Sequence, residues 1–225
     1  MDEKEQQQQQ GKKRRGCLFY GCLTGFVFLL LILLGGLLGT RYLKKMVTEF
    51  TEDKPTPMPA VQMSDAQIQQ VRKRVDDFRD SVKGGKPTKP LELTADEINA
   101  LIATDQDLAP LKGKLYVLGI QGNQIKARVS ARMEDVALPI FRNRYLNGDA
   151  VFTLLLKNGT IRLLAQDVTV KGRAVPEMYM QKIRTQNLAN GLNSNPRVSV
   201  ATDWIQSIEV KDGKLVIVPK EKPSP

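Results

Sequence analysis

The chain has 225 residues, with 34 Lys and Arg against 24 Asp and Glu, a formal net charge of +10, no histidine and two cysteines. Lacking histidine, it has no Ser-His or Cys-His nucleophile system and no His-ligated metal; Cys17 and Cys22 both lie in one apolar run, which removes Cys-ligated metal and an internal disulfide framework. No Ser is followed three residues later by Lys, so the serine-lysine motif is missing too, and no cofactor is expected.

Residues 1–15 form a polar tail with a five-glutamine run, too poor in apolar groups to pack. Residues 16–40 then carry no charge at all, between Arg15 and Arg41. About 20 apolar residues cross the ~30 Å hydrocarbon core as a helix. The run is longer than a secretory h-region and lacks a small-x-small exit, so the expectation is an uncleaved transmembrane anchor. The block Lys12–Arg15 outweighs Arg41, Lys44 and Lys45 slightly, which puts the N-terminus in the cytoplasm of a plasma (inner) membrane and the C-terminal domain outside it. The first 40 residues hold five bases and three acids, leaving 29 bases and 21 acids beyond them. That mild surplus suits an anionic membrane better than a nucleic acid, and no nucleic-acid partner is expected.

Residues 41–63 read as a stalk and an extended spacer, because Pro55, Pro57 and Pro59 alternate. Residues 64–219 read as one α+β domain, and 220–225 as a polar end. Ser64 and Gln67 form a capping box with Met63 and Ile68 as its staple. Ile68, Val71, Val75, Phe78 and Val82 follow in a helical stripe that Gly84-Gly85 ends. The stripe either lies on its own domain or forms the seam of a dimer. A second box, Thr94 to Glu97, opens a short helix, and the capping position accounts for Glu97 better than acid catalysis does.

From residue 113 the period switches to 2. In strand 125–134, Ile125, Ala127, Val129, Ala131 and Met133 alternate with Lys126, Arg128, Ser130, Arg132 and Glu134. Asn158-Gly159 marks a two-residue hairpin whose paired residue numbers sum to 317. In that register Ala150, Phe152, Leu154, Leu156, Ile161, Leu163 and Ala165 form a core face. Val151, Leu155, Leu164, Val168 and Val170 lie on the other face among polar residues. A face with five large apolar residues needs a cover: one of the domain's own helices, a partner, or an acyl chain in a groove lined by Val151, Leu155, Leu164 and Val168. Residues 176–190 read as a helix. Asp212-Gly213 is a last hairpin, pairing Ile208 with Ile217 and Val210 with Leu215.

The functional candidates are few. Gly21, Gly25, Gly35 and Gly39 form two GxxxG pairs roughly on one helix face, a candidate seam for a homodimer. Lys126, Arg128 and Arg132, with Arg142 and Arg144, are candidates for anionic headgroups, near which each base is worth about 1 kcal/mol. Glu134 and Asp135 point to opposite sides of a strand, and so do Asp149 and Asp167 in the 317 register. That leaves no carboxylate pair for glycoside hydrolysis.

The order of basic tail, span, proline spacer and Leu91-Glu-Leu-Thr-Ala-Asp-Glu-Ile-Asn-Ala-Leu-Ile102, with Tyr145-Leu-Asn-Gly148 and Ile208-Glu-Val-Lys-Asp-Gly-Lys-Leu215, resembles uncharacterised single-pass bacterial envelope proteins. The capped helix before long antiparallel strands is similar to bacterial relatives of the tubular lipid-binding (TULIP) domains. Over roughly residues 60–219 that likeness implies an apolar groove and transfers no catalytic residue. The expected whole is a single transmembrane helix followed by an antiparallel sheet of about six strands packed with two to three helices. Its expected role is non-enzymatic: binding a lipid or a protein partner at the envelope, or building envelope structure. An envelope hydrolase with unidentified catalytic residues is the alternative.

Overall fold

Asn158 and Gly159, with φ of 52° and 72°, turn β4 (Tyr145–Lys157) back into β5 (Thr160–Val170), the hairpin around which the larger sheet is built. The computed structural model describes residues 15–86, 88–133, 142–196, 198 and 202–220. Five antiparallel strands lie in the order β2 (Leu115–Gln121), β3 (Gln124–Arg132), β4, β5 and β6 (Arg173–Ala174). A second sheet has the order β1 (Leu91–Leu93), β8 (Lys214–Pro219) and β7 (Ile205–Lys211). The expected single sheet of about six strands is therefore two sheets. Strand β1 is too short for its alternation to register as a strand, and its partner lies more than 120 residues further along the chain. The β7–β8 hairpin forms as expected, with Ile208 opposite Ile217 and Val210 opposite Leu215 across a turn in which Asp212 and Gly213 both have positive φ.

Helix α1 (Arg15–Phe50) has 36 residues, and Phe26–Phe50 is long and apolar enough by length and composition to cross a membrane. The chain divides into two units, Met1–Thr48 and Glu49–Pro225. Cys17, Gly21, Cys22 and Gly25 lie within α1. A Cβ built on Gly35 or Gly39 meets nothing within 4 Å.

In the second unit, α2 (Asp65–Lys83) and α3 (Ala95–Thr104) each start at the expected capping box. Gln67 Oε1 accepts from Ser64 N at 2.8 Å, and Glu97 Oε2 accepts from Thr94 N at 2.9 Å. Glu97 also takes Arg74 at 2.8 Å. The α2 stripe lies on its own domain: buried Val71, with Val75 and Phe78, packs on Leu91, Leu93, Leu101, Leu215 and Ile217. A second cluster gathers Val117, Ile125, Ala127, Ala150, Phe152, Ala165, Val168, Val170 and Met180 of α4 (Glu177–Thr185). Ile98 of α3 touches both clusters.

Two departures from the sequence reading have one cause, a bulge at Gln166. Phe152 faces Ala165 and Leu154 faces Leu163, in the 317 register, but Val151 faces Asp167 and Ala150 faces Val168. One extra residue on β5 moves everything beyond it to the opposite face. Val168 and Val170 thus join the inner face, 7% and 0% exposed, and Val168 leaves the expected outer groove. Asp149 and Asp167 come to share the outer face. The bulge carbonyl is satisfied by Arg184 of α4, whose Nε donates to Gln166 O at 2.9 Å.

The expected helix 176–190 ends at Thr185 because the free edge of β5 needs partners. Asn187 Oδ1 accepts from Leu163 N (3.0 Å), its Nδ2 donates to Ile161 O (2.9 Å), and Leu188 N donates to Leu163 O (2.9 Å). An Asn side chain bonded to backbone in this way competes with helix continuation. A four-residue helix α5 (Asn190–Asn193) follows, and Asn193 Oδ1 accepts from Ile161 N at 3.1 Å.

The first residues after α1 dock on the larger sheet. Glu52 pairs with Tyr145, exchanging two backbone bonds of 2.8 Å. Buried Asn147 accepts from Ser130 Oγ (2.7 Å) and Thr56 N (3.2 Å), and donates to Glu52 Oε2 (2.7 Å) and Lys54 O (2.8 Å). Arg144 binds Thr51 through Oγ1 and the carbonyl, and pairs with Asp53. Asn147→Ala strands several of these groups and should cost about 2–3 kcal/mol. Hydrogen exchange of the Glu52 and Thr56 amides is expected to quicken with it, while the Asn158–Gly159 hairpin keeps its protection.

Candidate functional site

Between the two sheets lies a cleft of about 780 Å³. The larger sheet supplies the inward alternates Leu115, Val117, Ile125, Ala127, Phe152, Leu154, Ile161 and Leu163. The smaller sheet supplies Leu91, Leu93, Ile205, Ile208, Leu215 and Ile217, while α2 and α3 add Val75, Phe78, Val82, Ile98, Leu101 and Ile102. Of 32 lining residues only Arg79, Lys83, Asp105, Asp107 and Thr202 are polar or charged. Trp204, the chain's one tryptophan, also lines the cleft and is 42% exposed.

Size and lining together bear on what the cleft can do. Apolar wall left against water forgoes about 25 cal/mol for every Å² that could be buried. Water would find few hydrogen-bond partners on such walls. An elongated apolar group removes that conflict, since each CH₂ transferred from water gains about 0.8 kcal/mol. The volume also lies within the ~300–1,000 Å³ of small-molecule sites.

The apolar groove expected from sequence is thus on the opposite side of the sheet from the cleft. Val151, Leu155 and Leu164 stay together on the outer face, half-buried and in neither buried cluster, and Val168 is separated from them. The sequence placed Phe152, Leu154, Ile161 and Leu163 in a core, and they do point inward. That the two inner faces leave a cleft between them has no signature in either strand's alternation.

Lys126, Arg128 and Arg132 share the outer face, as their spacing requires. Arg128 is taken by Asp149 (Nε to Oδ1, 2.9 Å), whose carboxylate raises the guanidinium above its ordinary pKa by hydrogen bonding first and charge second. Arg132 stands 5.8 Å from the Tyr145 ring centre, Lys126 is exposed, and Arg144 is engaged with Thr51 and Asp53. Asp167 lies 3.8 Å from Arg184. The outer-face carboxylates therefore each oppose a guanidinium, a poor arrangement for acid-base work on a substrate. Glu134 and Asp135 fall outside the described residues. Among those described, no three or more Cys, Asp or Glu side chains gather as a metal site would need.

Compared with protein families, curated proteins and solved structures, the chain has no significant match in any of the three.

Proposed function

We propose that this is a single-pass membrane protein whose C-terminal unit, outside the cytoplasm, is a non-enzymatic lipid-binding domain holding the apolar chain of an amphiphile between its two sheets. The observation that carries this reading is the cleft, with 27 apolar residues among 32. The apolar stretch of α1 supports the anchor, and the slight excess of bases on its N-terminal side supports the orientation. An anchored domain with a chain-sized cleft suits uptake of an amphiphile from the adjacent bilayer. Among the described residues, Asp149 and Asp167 do not support a hydrolase reading, because they face Arg128 and Arg184.

Trp204 makes the proposal directly testable. The full chain is placed in nanodiscs and titrated with a monoacylglycerol carrying a brominated acyl chain, below its aggregation threshold. Bromine quenches indole only at close range, so a saturable loss of about half the Trp204 emission or more is expected. A shallow, non-saturating loss like that of free tryptophan would count against an acyl chain in the cleft.

A further inference from the structure

Building on the lipid reading above, we infer that the amphiphile has a zwitterionic head, held where α2 meets the loop after α3. The cleft does not end there in apolar side chains. Arg79 of α2 and Asp105 and Asp107 beyond α3 line it, and the same three line an adjoining hollow of about 160 Å³ with Arg72, Asp76 and Gln106. Val75 and Leu101 also belong to both. The two hollows therefore adjoin, an apolar body and a polar end that share these five residues in their linings. At ~30 Å³ per water, the polar end has about five waters' worth of room, comparable to a small phosphoester head.

The charges at that end select the kind of head. The hollow presents two guanidiniums and three carboxylates, and Lys83, one turn beyond Arg79, lines the adjoining cleft. Both signs are present and nearly balanced. A purely anionic head would gain the arginines but sit against three carboxylates, and a purely cationic head would meet the reverse. A head carrying a phosphate and an ammonium together matches both sets.

The geometry leaves Arg79 able to serve. Arg79 is held loosely, with Nη1 3.4 Å from Asp76 Oδ1 and Nη2 3.9 Å from Asp105 Oδ2. A guanidinium has five N–H donors, so it keeps donors for a phosphate, to which it bonds more strongly than to a neutral acceptor. Two of the three carboxylates are held by further bonds: Asp105 Oδ1 accepts from Asp107 N at 2.8 Å, and Asp107 Oδ1 from Asn195 Nδ2 at 3.4 Å.

The test uses the full chain in nanodiscs and Trp204 emission, with identical brominated acyl chains on a short-chain phosphatidylcholine, a phosphatidylglycerol and an uncharged monoacylglycerol. The phosphatidylcholine should half-quench at a roughly tenfold lower concentration than the phosphatidylglycerol. Arg79→Gln and Asp105→Asn should each remove most of that preference, and an unfolding midpoint close to the parent's shows that the variant is folded. Should Arg79→Gln fail to fold, Arg72→Gln serves for the phosphate side. Equal or tighter binding of the phosphatidylglycerol, or variants that change nothing while the monoacylglycerol still quenches, would overturn the head assignment alone. Absence of quenching by all three probes would instead remove the lipid reading on which it rests.

Discussion

Gly148→Ala is expected to lower the unfolding midpoint of the C-terminal unit by about 6–12 °C. Gly148 sits on β4 opposite Val129, at the point where the bulge has shifted β5. A Cβ there would stand 2.3 Å from the carbonyl oxygen of Thr169, 3.1 Å from its carbon and 3.2 Å from Val170 Cγ2. The obstruction is backbone, so no rotamer relieves it. Val170 is itself fully buried, so relief must come from parting β4 and β5. Overpacking of this kind costs about 1–3 kcal/mol where side chains yield, and the upper end applies when the main chain must move. For a unit of this size 1 kcal/mol is worth about 2–4 °C. Trp204 emission on heating reads the transition, because the single tryptophan lies in this unit. A midpoint within 2 °C of the parent would mean that β4 and β5 approach less closely than described.

Asn99→Ala should have an effect of similar size by a different route. Asn99 is buried on α3, and its side chain closes the outer edge of β2: Nδ2 donates to Val117 O at 2.8 Å, and Oδ1 accepts from Val117 N at 2.7 Å. Alanine leaves two buried backbone groups without partners, at about 1–3 kcal/mol each, or roughly 3 kcal/mol together. Asn99→Asp is the informative companion. It keeps the acceptor for Val117 N but loses the donor and places a carboxylate in a buried site, so it should be at least as damaging as alanine at neutral pH. Chemical denaturation followed at Trp204 distinguishes the cases. An Asn99→Asp chain as stable as the parent would show that water reaches this edge.

How much of this was legible in the chain depends on the range of each signal. Caps and turns are local chemistry, so Ser64, Thr94, Asn158-Gly159 and Asp212-Gly213 each mark a boundary that the fold keeps. The 317 register follows from the Asn-Gly turn and holds out to Phe152 and Ala165. It fails beyond because Gln166 carries no bulge signal of its own. Its carbonyl is satisfied by Arg184, 18 residues further on. That single residue moved Val168 inward and brought Asp167 round to the face of Asp149. The second sheet was hidden for a related reason, since β1 has three residues and pairs with β8 near the end of the chain.

The inward face of the larger sheet is legible in the sequence, and the cleft in front of it is not. The alternation of β3, β4 and β5 identified the right inward residues, and an apolar groove was expected. The alternation puts that groove on the outer face, because it reads inward apolar residues as a packed core. Whether two apolar faces meet or stand apart depends on the elements that prop them. Here α3 does so, its Ile98 touching both clusters and its Asn99 fixed to β2. No residue spacing encodes that distance.

The two faces of the same strands give the sharpest test of the central claim. A monoacylglycerol with a diazirine in its acyl chain is photolysed with the full chain in nanodiscs, and the labelled residues are mapped by mass spectrometry. Labels are expected on inward residues of β3–β5 and their partners, Ile125, Phe152, Leu154, Leu163 and Ile217. Labelling confined to Val151, Leu155 and Leu164, or to Phe26–Phe50 alone, would contradict an acyl chain held between the sheets.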